Sequence, residues 1–208
     1  VTDILLERAG VELSGDEAGD GVPVVLLHGL TATRRYVVMG SKALERSGHR
    51  VIAYDARGHG RSSPAPIPEA YTYDDLGRDL EAVLDARGIE RAVLAGASMG
   101  AHTLLWLALG APDRVAGAVV ITPAYDPMSH DREGRFEYWD ALADGLERGG
   151  IDGFIEASAR PDVPEAWQET VEKVTRQRLS QHEHLDAVAD ALRAVPRSRP
   201  FGEISELA

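Results

Sequence analysis

The chain has 208 residues, 44% of them hydrophobic and 27% charged, a globular composition with enough apolar content to bury a core. Its formal net charge of −12 argues against nucleic-acid and anionic-membrane partners, since such a surface repels both. There is no cysteine, which excludes disulfides, thiolate nucleophiles and cysteine-ligated zinc.

The first residues, VTDILLERAG, contain no basic region followed by a long apolar run, so no signal peptide is expected. The longest apolar runs are strand-sized, far below the roughly 18 residues of a membrane span. The expectation is a cytoplasmic protein. Residues 4–9 and 11–17 read as a hairpin leading into a sheet. Four short, nearly all-apolar runs follow at 22–27 (VPVVLL), 50–54 (RVIAY), 91–95 (RAVLA) and 115–121 (VAGAVVI). Strands covered on both faces read this way, as in a parallel sheet between helices.

Between these runs lie helical patterns. Over 74–87, Leu76, Leu80, Val83 and Leu84 share one face. Thr72 with Asp75 forms a capping-box pattern ahead of them, and Gly88 is placed for a C-terminal cap. A second helix is expected over 99–109, stopped by Gly110 and Pro112. This alternation predicts an α/β fold with right-handed crossovers, a mostly parallel sheet flanked by helices.

After Tyr125 the pattern changes. Residues 126–200 hold no strand-like run but four helical stretches, 135–148, 151–159, 165–179 and 184–194. Gly149-Gly150, the segment 161–164 and a polar turn separate them. The expected division is a core over 1–125, a helical cap inserted over 126–200 and a return to the core at 201–208. Phe136, Tyr138, Trp139, Phe154 and Trp167 either pack the cap onto the core or line an apolar pocket beneath it.

Chemistry concentrates in LAGASMGAHTLL, residues 94–105. Here Gly96-Ala97-Ser98-Met99-Gly100 follows a predicted buried strand and opens a predicted helix. Alone, Gly-x-Ser-x-Gly is a weak signal; between a strand and a helix it matches a nucleophile elbow. A serine on so sharp a turn takes a strained backbone conformation, and side chains at the flanking positions would collide. The turn also sets Ser98 at a helix N-terminus, with the N–H of Met99 available to a developing oxyanion. In VVLLHGLTAT, residues 24–33, His28-Gly29-Leu30 follows another strand, and the N–H of Leu30 is the candidate second donor. In YDARGHGRSS, residues 54–63, Asp55-x-Arg57-Gly58-x-Gly60-x-Ser62 follows a third.

This order of motifs resembles the α/β-hydrolase family, closest in type to its capped esterase, lactonase and cofactor-free haloperoxidase-like branch. The resemblance covers residues 1–125; the cap matches only in position and helical character. It implies a serine hydrolase of carboxylic esters or lactones, with Ser98 as nucleophile and the Leu30 and Met99 N–H groups as oxyanion hole. Carbon–carbon bond hydrolysis or perhydrolysis on the same elbow stays open. It also implies a small apolar ester-like substrate and no metal or organic cofactor. His28 would shape its loop, while Asp55, Arg57, Gly58 and Gly60 would form a structural turn.

The family places its acid and its histidine after later strands. The segment RPFGEISELA contains neither the expected Asp nor a His, so those strands and the histidine loop are expected to be missing, with the base supplied from outside the chain. Within it, His102, His59 and His130 are the alternatives for the base and Asp126 for the acid; an N-cap or linker is the plainer reading of Asp126. His49 is expected at the surface near one edge of the sheet, and His182-x-His184 at a solvated helix start. From another class, a non-catalytic protein holding a small apolar ligand under the cap is the competing reading.

Overall fold

The computed structural model describes residues 1–126, 134, 136–159 and 163–202. Six strands form one sheet: β1 (Thr2–Arg8), β2 (Val11–Ala18), β3 (Val22–Leu27), β4 (His49–Tyr54), β5 (Ala92–Ala97) and β6 (Val115–Ile121). Their order is β1-β2-β4-β3-β5-β6. β1 and β2 are the expected hairpin, in register from Thr2 opposite Glu17 to Arg8 opposite Val11, and β2 is antiparallel to β4. The remaining pairs, β4–β3, β3–β5 and β5–β6, are parallel.

β3 shows why its sequence is apolar throughout. Side chains alternate across a strand, so Val25 and Leu27 enter the larger core while Val24 and Leu26 enter a smaller one on the opposite face. The short helix α1 (Ala43–Arg46) and a 3-10 turn at Arg34–Tyr36 lie between β3 and β4, and neither was foreseen. His49 opens β4, an interior strand, and is half-buried with Nδ1 3.2 Å from the Leu44 carbonyl, which corrects its expected surface position.

Helix α2 (Tyr73–Ala86) begins with the predicted capping box between Thr72 and Asp75 and buries Leu76, Leu80, Val83 and Leu84. Helix α3 (Met99–Gly110) is apolar nearly all round and lies between α2 and the sheet. Beneath them Arg57, 1% exposed, holds Asp79, also 1% exposed, through Nε at 2.7 Å and an Nη at 2.8 Å. Arg8 adds a third contact to Asp79 at 2.8 Å. Asp79→Ala is therefore expected to destabilise the fold by about 3–5 kcal/mol, because it strands a buried guanidinium. Urea titration of the two proteins measures this, and a loss below about 1 kcal/mol would contradict it.

Beyond β6 the described elements are helical: α4 (Glu137–Ala157), α5 (Glu165–Leu179) and α6 (Leu185–Ala194). α4 breaks at Gly150, where φ is 59° and ψ −142°, a conformation glycine adopts without steric cost. One face of α6 joins α4 and α5 in a cluster of Leu142, Leu146, Phe154, Leu179, Val188 and Leu192, flanked by Leu30 and Trp139. Its other face carries Ala187 and Ala191 against Tyr71, Tyr73, Leu76 and Met99 of the main body. Of the aromatics, Phe154 is buried, whereas Tyr138 and Trp167 are largely exposed, Tyr138 with its ring against Trp139.

The free side of β6 has no strand beside it among the described residues. Val119, Val120 and Ile121 are 50%, 39% and 37% exposed there. Among the described residues no helix is long and apolar enough to cross a membrane.

Candidate active site

Ser98 stands between the last residue of β5 and the first of α3, with φ 50° and ψ −111°. A non-glycine residue at positive φ is strained, and the close packing around it holds the strain in place. A Cβ added at Gly96 would lie 2.3 Å from the Gly100 carbonyl oxygen, and one at Gly100 would lie 2.2 Å from that of Leu27. Both flanking positions thus require glycine, because backbone crosses backbone there. The Ser98 N–H donates to the Ile121 carbonyl at 2.9 Å, tying the turn to the end of β6. Its side chain makes no capping hydrogen bond, so the hydroxyl is left to the cavity in front of it.

The helical ladder starts with the His102 N–H donating to Ser98 O at 3.0 Å, which leaves the N–H groups of Met99, Gly100 and Ala101 ahead of it. After β3, Ala32 N–H donates to Gly29 O at 3.0 Å and closes a turn in which the Leu30 N–H has no part. Leu30, Ser98 and Met99 all line one cavity of about 80 Å³, together with Tyr73, His102, Ala124, Tyr125, Trp139, Val195, Pro196 and Ser198. The three residues singled out in the sequence therefore come together. No motif marked Tyr73, Val195 or Ser198; they arrive from the start of α2 and the end of α6, by tertiary packing alone.

The Asp55 turn is structural. Its carboxylate accepts the Arg34 and Arg61 N–H groups at 2.8 and 3.1 Å and pairs with the Arg34 guanidinium. Gly60, at φ 55°, sits where a Cβ would meet that carboxylate at 2.2 Å. Ser62 Oγ donates to Asp55 O at 2.6 Å and accepts the Ser14 N–H at 2.9 Å.

The histidines are otherwise engaged. His28 Nδ1 donates to Gly29 O and Nε2 accepts the Ala56 N–H, both at 2.9 Å. His182 is buried, not solvated as expected: Nδ1 accepts the Gly60 N–H at 2.9 Å and Nε2 donates to Thr31 O at 3.1 Å. His59 lies between these two rings, at centroid distances of 5.2 and 5.6 Å, with Nδ1 bonded to Arg57 O and Nε2 buried without a partner among the described residues. Burial pulls His28 below its ordinary value, His182 down to about 4 and His59 well below the usual range. His102 Nε2 accepts the N–H groups of Ala124 and Tyr125 at 3.2 and 3.1 Å, and Nδ1 meets Tyr73 Oη at 2.9 Å. Burial brings this ring also to about 4.

Among the described residues neither the His59 ring nor the His102 ring hydrogen-bonds to the Ser98 hydroxyl, so neither alternative base is set on the nucleophile. His184 caps α6 and is half-buried, and His130 lies outside the described residues. Asp126 is half-buried just beyond the end of β6. Among the described residues, no group of three His, Cys, Asp or Glu side chains is placed to hold a metal ion.

Comparison with known proteins follows the same architecture. Residues 22–197 match the family described as alpha/beta hydrolase fold. The chain is 31% identical over 149 residues to 3-oxoadipate enol-lactonase 1 of Acinetobacter baylyi, covering 71% of this chain and 53% of that one. It is 37% identical over 107 residues to the sn-1-specific diacylglycerol lipase ABHD11 of Danio rerio, covering 51% and 33%. A thermophilic esterase from Thermogutta terrifontis superposes with a TM-score of 0.74 at 27% identity, covering 93% of this chain and 72% of that one. The chain thus spans about half the length, or less, of these two curated relatives. With the motifs at the ends of β3, β4 and β5 in place and most of its length matched, the chain belongs to the α/β-hydrolase fold family.

Proposed function

We propose that the protein hydrolyses small carboxylic esters or lactones through an acyl-enzyme on Ser98. The observation that carries this reading is the strained, uncapped Ser98 at the β5–α3 turn, facing a cavity it shares with Leu30 and Met99. Ser98 Oγ attacks the substrate carbonyl carbon, and the Leu30 and Met99 N–H groups receive the charge that develops on its oxygen. The base that takes the serine proton returns it to the departing alkoxide. Water then attacks the acyl-enzyme while the same base takes its proton and passes it to the departing Ser98 Oγ, which leaves carboxylic acid and free Ser98.

The base comes from outside the described residues. Two features support this: among the described residues no histidine ring hydrogen-bonds to the Ser98 hydroxyl, and the apolar edge of β6 has no strand beside it next to the turn. Helices α4–α6 act as the cap, since Leu30 and Trp139 belong both to their cluster and to the cavity wall. The lactonase, lipase and esterase names of the relatives agree with an ester-like substrate. The absence of a histidine on Ser98 among the described residues also favours a second reading, a binding protein that keeps the cavity without turnover.

Intact-mass analysis of the full-length protein after treatment with a serine-directed fluorophosphonate separates the two. A single adduct mapped to Ser98 is expected. A protein that takes no adduct and leaves p-nitrophenyl acetate unhydrolysed would overturn the hydrolase reading in favour of the binder.

A further inference from the structure

The cavity in front of Ser98 is lined by Tyr73, a buried phenol whose hydrogen has no acceptor among the described residues. His102 Nε2 faces two backbone N–H donors, from Ala124 at 3.2 Å and Tyr125 at 3.1 Å. A nitrogen that accepts cannot carry a proton, so the neutral ring carries its hydrogen on Nδ1. Burial, which pulls this imidazole to about 4, keeps it neutral at pH 7. Nδ1–H therefore donates to Tyr73 Oη, 2.9 Å away. Tyr73 is 4% exposed, and its oxygen is used as an acceptor. Its own O–H has no acceptor among the described residues, while the side chain lines the Ser98 cavity. A buried hydroxyl left without an acceptor is costly, and a ligand oxygen removes that cost.

From this geometry, and resting on the hydrolase reading above, we infer that Tyr73 is a substrate-binding donor, set by His102, that takes a second oxygen of the substrate beside the ester. The substrate class is then a small ester or lactone carrying an ether, hydroxyl or carbonyl oxygen near the scissile group, rather than a purely hydrocarbon ester. His102 acts through Tyr73 and is a positioning residue. By donating from Nδ1 it fills a lone pair of the phenol oxygen and turns the phenol hydrogen towards the cavity.

Two isosteric pairs in which oxygen replaces a methylene test this in the full-length protein. They are p-nitrophenyl methoxyacetate against p-nitrophenyl butyrate, and 2-methoxyethyl acetate against butyl acetate. Wild type and Tyr73→Phe are compared by the oxygen-to-methylene ratio of kcat/KM, in which the intrinsic reactivity of each ester cancels between the two proteins. The ratio is expected to fall about fivefold or more in Tyr73→Phe for one pair, the span of a single hydrogen bond, and that pair tells which side of the ester faces Tyr73. Ratios unchanged within twofold in both pairs, with Ser98 still labelled by fluorophosphonate, overturn the role of Tyr73 alone. A wild-type protein that takes no label and turns over none of the four esters overturns the hydrolase reading and this one with it. Independently of turnover, nitrogen-15 spectra of the His102 ring are expected to show the Nδ1-protonated tautomer at pH 7. A protonated Nε2 overturns the inference.

Discussion

Replacing Ser98 with alanine is expected to lower kcat for p-nitrophenyl acetate by at least about 10⁴-fold in the full-length protein, with KM changed far less. The deletion removes the atom that forms the covalent bond and leaves the rest of the cavity standing. Leu30 and Met99 can still polarise a bound carbonyl, so a small residual rate over the uncatalysed reaction is expected. The fold should tolerate the change, because Ser98 Oγ supports no hydrogen bond among the described residues. Its backbone, at φ 50°, is strained for alanine as it is for serine. A variant that keeps more than a tenth of the wild-type kcat would remove Ser98 from the reaction. Thermal melts of both proteins distinguish that outcome from a folding defect.

Acidification is expected to unfold the protein between pH 6.5 and 4, ahead of any general carboxylate titration. His102 and His182 are held neutral by burial, each with a folded value of about 4 against an ordinary 6.5. In that window the unfolded chain binds protons that the folded chain refuses, so stability falls as pH falls and levels off below the folded value. Each ring contributes a loss on the order of 3 kcal/mol by pH 4, against a total stability of roughly 5–15 kcal/mol for a domain. His28 and His59 are shifted by burial in the same direction and add to it.

The groups facing His182 do not rescue it. Burial outweighs the Thr31 carbonyl and Asp55, which favour its charged form; His28 and Arg178 oppose that form, and protonation would also break the bond that Nδ1 accepts from the Gly60 N–H. Asp140, by contrast, is held below its ordinary range by its Arg197 hydrogen bond, so its own contribution is lost only at lower pH. Urea midpoints at pH 7, 6, 5 and 4.5 measure the effect. A midpoint that stays flat from pH 6.5 to 5 would contradict it.

Much of the fold was legible because local and tertiary demands agree. The apolar runs at 22–27 and 115–121 became β3 and β6 with the same bounds, and the capping box put α2 within one residue of its expected start. Gly149-Gly150 broke its helix where expected, at Gly150. α1 and the turn at Arg34–Tyr36 escaped because neither is long enough for a periodic pattern. His182 was misplaced for another reason. Its spacing to His184 describes only the start of α6, whereas its burial comes from Gly60 and Thr31, 122 and 151 residues away in the chain.

The sequence by itself determined the parallel core and the position of Ser98, since a buried strand, a glycine-flanked turn and an apolar helix are local patterns with local physical causes. It also singled out Leu30 and Met99, whose backbone N–H groups depend on where a turn closes and a helix begins. Only the tertiary structure decided what surrounds Ser98. Nothing near Tyr73 in the chain assigns its hydroxyl to the cavity, and nothing near His102 says that two backbone N–H groups beyond β6 fix its tautomer. Those facts arise from contacts between distant segments, where packing and the need to satisfy buried polar groups choose the partner.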